Sequence, residues 1–95
     1  MLNEIEELLT AEAPPLDRLE STLTDGYAQA LALEAERWRL ERRLAEVARA
    51  GRDPGEELSS IGRRLTLADD ELSQLRTLLS SLHDRARRAR RGSVR

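Results

Sequence analysis

Arginine supplies all sixteen basic side chains of this 95-residue chain, and two of its placements could do chemistry. Arg37 stands in an otherwise apolar row, where a guanidinium is costly unless it is paired. It can reach past Ala68 to Asp69, Glu71 or a partner's carboxylate and fix register, or it can hold an anionic ligand between helices. The second placement is the run RARRARR, in which Arg85, Arg87, Arg88, Arg90 and Arg91 form a candidate phosphate-binding end for nucleic acid. No aromatic side chain is interleaved with these arginines and the net charge is −2, so nucleic acid is not the favoured partner. Residues 1–25 carry a net charge of −6 and residues 84–95 one of +5. If the chain folds back on itself, these ends meet, and arginines in a last helical turn also favour the helix dipole.

Other chemistry is sparse. His83 is the only histidine and there is no cysteine, which removes thiolate metal sites, disulfides and an activated thiol nucleophile. Glu56-Glu57 and Asp69-Asp70-Glu71 have the spacing of solvated helix faces. The stretch GRDPG lacks the spacing and the following lysine of a phosphate loop. These residues predict no catalytic set, no metal site and no cofactor.

Two resemblances bear on Arg37 and on the helices. Leu33-Glu34-Ala35-Glu36-Arg37-Trp38-Arg39-Leu40, followed by Asp53-Pro54, resembles the first helix and loop of the all-helical chorismate mutases over about forty residues. The resemblance implies that an arginine at the position of Arg37 contacts a substrate carboxylate. Where that family carries a second arginine and a lysine, this chain has Glu20 and Ala48, so a dianionic substrate loses its clamp. Glu56, Ser60 and Arg63 are similar to part of the helix motif of the cyclic-di-GMP-dependent anti-sigma factors, themselves antiparallel helical hairpins. Leu67 and Glu71 depart from that motif, leaving its nucleotide site incomplete.

The elements that must position these residues follow from hydrophobic period. Leu58, Ile61, Leu65, Ala68, Leu72, Leu75, Leu79, Leu82, Ala86 and Ala89 alternate steps of three and four, the spacing of a coiled-coil seam. The same spacing runs through Leu16, Leu19, Leu23, Gly26, Ala30, Leu33, Arg37, Leu40, Leu44 and Val47. Each row covers 32 residues, about 48 Å of helix. Between them, Gly51 suits a helix end, and Asp53, Pro54 and Glu56 suit a cap, first position and third position of the next helix. So short a connection predicts an antiparallel hairpin, with helices at 15–50 and 54–91, a loop at 51–53 and a disordered tail at 92–95. Pairing residues whose numbers total 105 sets Val47 against Leu58, Arg37 against Ala68, Gly26 against Leu79 and Leu19 against Ala86. In the last three of these layers a large side chain meets a small one, and a slip of one heptad is the alternative register. Asp25-Gly26 is a turn signal, but the heptad count passes through it without a skip, which predicts an unbroken helix.

Residues 1–13 read as a short amphipathic helix with Leu2, Ile5, Leu8 and Leu9 on one face and Asn3 as a candidate cap, ended by Pro14-Pro15. The fold class expected is therefore all-α, an antiparallel two-helix coiled-coil hairpin with a short N-terminal helix, dimerising into a helical bundle. Dimerisation enters because Tyr27, Leu31, Trp38, Ala45 and Ala48 form a second apolar stripe beside the seam, with Leu67 and Leu78 adding to the other helix. Either the N-terminal helix covers that stripe or a partner does. Tyr27, Leu31, Trp38 and Gly26 are the candidate interface, with a second copy or another helical protein as partner. The acidic N-terminus and the lack of a long apolar run predict a cytoplasmic protein without membrane association. The function expected is that of a non-enzymatic helical interaction or oligomerisation module.

Overall fold

A computed structural model describes residues 1–50 and 55–93, and among these the chain is all-α. Helix α1 spans Leu2–Thr10, α2 spans Leu16–Arg49 and α3 spans Gly55–Ser93. The long helices pack side by side as an antiparallel hairpin, and α1 lies across both near the open end. The Cα trace measures 66 × 19 × 14 Å. Gly51, Asp53 and Pro54 lie outside the described residues.

The heptad rows are where the hairpin closes. All twenty seam positions are buried or half-buried, and on α2 Leu19, Leu23, Gly26 and Ala30 are buried in succession. The expected register holds at its most demanding point. Gly26 is buried, and a Cβ built there would overlap Leu79 Cδ2 and stand 3.4 Å from Cγ. A residue that weakens a helix by about 1 kcal/mol thus lets α2 and α3 approach where a leucine must fit between them. Helix α2 runs unbroken through Leu23-Thr24-Asp25-Gly26-Tyr27.

The core is in two parts. Leu19, Leu23, Ala30, Leu72, Leu75, Leu79, Leu82 and Ala86 form the larger cluster together with Ile5 and Leu8 of α1. Leu40, Val47 and Ile61 form the smaller one towards the loop. The layer of Arg37 and Ala68 lies between them, so the polar break in the seam is also a break in the core. Only at the open end is a third helix available to widen a two-helix seam. Ile5, Leu19, Leu75 and Leu82 are accordingly the large side chains most completely buried, each burial being worth about 1.5–3 kcal/mol.

Several element ends differ from the sequence reading. Asn3 lies inside α1, whose N-cap is Met1, with Ile5 N–H bonded to the Met1 carbonyl. The helix stops at Thr10, before the prolines: Thr10 Oγ1 donates to the carbonyls of Glu6 and Glu7, and Ala11 turns extended at φ −68°, ψ 144°. Pro15 caps α2 from outside, its carbonyl accepting from Leu19 N–H. Helix α3 continues through Gly92 and Ser93, beyond the end at residue 91 that the sequence predicts; a terminal glycine permits a helix end without forcing one.

Candidate functional site

A heptad lettered a to g, with the seam at a and d, gives the hairpin two flanks, one formed by the g positions of both helices and the other by the e positions. The g flank at the open end carries Thr22, Leu78 and Arg85, and α1 packs over it. Thr22 is buried although polar, and Leu78 is half-buried against the core. Arg85 closes this arrangement. Its Nη1 donates to the Leu9 carbonyl at 2.8 Å, and its Nη2 donates to the carbonyls of Ala11 and, at 3.2 Å, Glu12. These carbonyls lie at and just past the end of α1, where acceptors lack helical partners and a cation is favoured. The arginine most deeply placed in RARRARR is thus engaged in holding the N-terminal helix.

The e flank is left open, because α1 covers the opposite side. Tyr27, Leu31 and Trp38 are 48%, 66% and 59% exposed, and Ala45 and Ala48 continue the stripe on the surface. The N-terminal helix packs within the chain and still does not cover these residues. Between α2 and α3 on this flank runs an open groove of about 530 Å³, floored by Ala30 and Leu79 and walled by Tyr27, Leu31, Arg76 and His83. The Arg42 guanidinium lies 4.9 Å from the centroid of the Trp38 ring, a cation–π contact over the indole. Gly26, grouped with the stripe in the sequence reading, is instead buried inside the hairpin against Leu79. Leu67 is 68% exposed and lies at a c position, away from this stripe.

Ion pairs mark both flanks. Arg43–Glu57 at 2.6 Å and Arg64–Glu36 at 3.1 Å staple the g side towards the loop. Glu34–Arg76 and Glu20–Arg90 staple the e side. Tyr27 and His83 occupy the rung between those two, the one place on this ladder where an aromatic pair replaces opposite charges. Glu36 also accepts from Arg39 at 2.8 Å, and that bond holds its carboxyl below the ordinary value of 4.5; burial opposes the shift, while the charges of Arg39 and Arg64 add to it.

Arg37 reaches Asp69 at 2.8 Å and Glu41 at 3.3 Å, both through Nε. The Nε atom is buried and its N–H does not point along a hydrogen bond, so the contact with Asp69 is ionic. Its surroundings hold Glu34 and Glu41 as well as Arg76, a mixed-charge setting rather than a cation cluster. Arg87, Arg88 and Arg91 are exposed, and Arg90 pairs with Glu20. The structure therefore disperses the five candidate nucleic-acid contacts, two of them being turned to the protein's own α1 and α2. Among the described residues no group of three or more acidic or imidazole side chains is placed to hold a metal ion, and no helix is long and apolar enough to cross a membrane. Comparison with family models, with curated proteins and with solved structures gave no match.

Proposed function

We propose that this chain is a non-enzymatic helix–helix interaction module whose working surface is the e flank of the hairpin. The observation that carries the reading is the exposure of Tyr27, Leu31 and Trp38 along one flank while α1, the third helix among the described residues, packs on the opposite flank. Burying such a stripe against another apolar helix face is favourable by about 25 cal/mol per Å². Aromatic anchors at the centre of a patch are the usual carriers of binding energy. The charged ladder around it selects among partners and orients them.

The reading separates surface from core, and that separation is measurable. Leu31→Glu and Trp38→Glu should leave the melting of the dilute hairpin within about 0.5 kcal/mol of wild type, as surface substitutions do. Leu31→Glu should at the same time abolish concentration-dependent protection of Trp38 from iodide quenching. Loss of more than ~2 kcal/mol in dilute solution, in the range of core truncations, would place the stripe in the fold and sink the proposal.

A further inference from the structure

We infer that the partner of this face is a second copy of the chain, stacked about a two-fold axis parallel to the hairpin, so that α2 of each copy lies on α3 of the other and both loops point the same way. The inference rests on the reading of the e flank as a docking surface and adds its occupant and orientation.

The outermost row of that flank consists of the b positions. On α2 these are Asp17, Thr24, Leu31, Trp38 and Ala45; on α3 they are Ser59, Thr66, Ser73, Ser80 and Arg87, all of them exposed. The register observed at Gly26 and Leu79 sets their heights along the hairpin. A two-fold axis along the hairpin preserves height and exchanges the helices. It therefore lays Leu31 over Ser73, Trp38 over Thr66, Ala45 over Ser59 and Asp17 opposite Arg87, each within about one residue of level, ~1.5 Å. Every bulky side chain meets a small one, and the one acidic b position meets the one basic b position. Neither Asp17 nor Arg87 forms an ion pair among the described residues of its own chain.

The alternative two-fold axis, perpendicular to the hairpin, lays α2 on α2 and α3 on α3. It brings Leu31 against Trp38 on one side and leaves serines facing threonines across a gap on the other. Uneven separation of two rigid faces forfeits packing along the open side. The area suffices for the favoured arrangement: about 48 Å of shared helix by the ~20 Å breadth of two helices side by side, each about 10 Å across with its side chains, is on the order of 900 Å², above the ~800 Å² per partner of a standard interface.

The chain has no cysteine, so Ala50→Cys introduces one unique label site beside the loop. Light scattering is expected to give a dimer, and Trp38→Glu a monomer with unchanged helicity. Spin labels at position 50 are expected about 15–25 Å apart, the diagonal of a bundle with 8–10 Å between neighbouring axes plus the label arms. Asp17→Arg or Arg87→Asp should each raise the dissociation constant by about three- to tenfold, and the combined swap should restore it. A dimer abolished by Trp38→Glu but with labels about 50 Å apart would overturn the arrangement and leave the docking face standing. A dimer indifferent to Trp38→Glu overturns both. A monomer at every attainable concentration overturns the second copy as occupant, and leaves a different helical protein to cover the stripe.

Discussion

Gly26→Ala isolates the contact on which the register depends. An alanine normally stabilises a helix over glycine by about 1 kcal/mol. Here the added methyl overlaps Cδ2 of Leu79, a side chain only 2% exposed and enclosed by the larger core cluster. Leu79 must repack, either within the cluster or towards the groove that it floors, and overpacking of this kind costs about 1–3 kcal/mol. The net expectation is destabilisation of up to ~2 kcal/mol. Leu79→Ala alone should cost about 2–5 kcal/mol. In that background the sign reverses, because the added methyl no longer clashes and fills part of the cavity; Gly26→Ala should then stabilise by about 1–2 kcal/mol. A coupling of roughly 2–3 kcal/mol follows. Urea unfolding followed by far-ultraviolet circular dichroism, at one fixed low protein concentration so that association does not contribute, measures all four corners of the cycle. Gly62→Ala is the control, since a Cβ there meets nothing within 4 Å, and it should give the full gain of about 1 kcal/mol. If Gly26→Ala stabilises as much as Gly62→Ala, the close approach of α2 and α3 at this layer does not exist, and the register fails with it.

Three further outcomes are expected. Arg85→Met removes the donors to Leu9, Ala11 and Glu12, and hydrogen exchange should show α1 opening by about 1–3 kcal/mol more easily while the loop half of the hairpin is unchanged. Arg37→Leu should stabilise the hairpin by about 1 kcal/mol in thermal melts, because the lost ion pair is half exposed and worth little whereas the new leucine joins the two core clusters; a loss of stability would show that the pair to Asp69 outweighs that gain. The lowered pKa of Glu36 means that the unfolded chain takes up its proton first, so the group's contribution is complete above about pH 4.5 and disappears as pH falls through its folded value. A carbon-detected titration should place its midpoint below 4.5, and Arg39→Gln should move it upward; no movement would refute the assigned cause.

Much of this architecture is carried by period alone. A strict three-four spacing of apolar residues can bury its row only against a similar row, which is why Leu16 to Val47 and Leu58 to Ala89 pair. A slip of one heptad would close the same two rows, and the register is decided by the folded hairpin, where Leu79 lies against Gly26. The contact of Arg37 with Asp69 is legible too, because an arginine in a seam must reach a carboxylate and Asp69 is one residue beyond its facing Ala68. Element ends are less so: Thr10 ends α1 through side-chain bonds to Glu6 and Glu7 that compete with the next helical turn.

Local spacing leaves open the side of the hairpin on which α1 lies. Both flanks carry apolar residues, Leu78 on one and Tyr27 and Leu31 on the other, and a helical period ranks neither. Arg85 reads in sequence as a phosphate contact, since nothing near it says that carbonyls 73 to 76 residues earlier will stand within its reach. Only the folded hairpin brings that guanidinium beside the end of α1, where unpaired carbonyls and a favourable dipole receive it. Helices and seam therefore follow from spacing, which is a property of one chain segment at a time. The choice of flank, and with it the exposure of Tyr27, Leu31 and Trp38, follows from a three-helix contact that forms only when all three segments are in place.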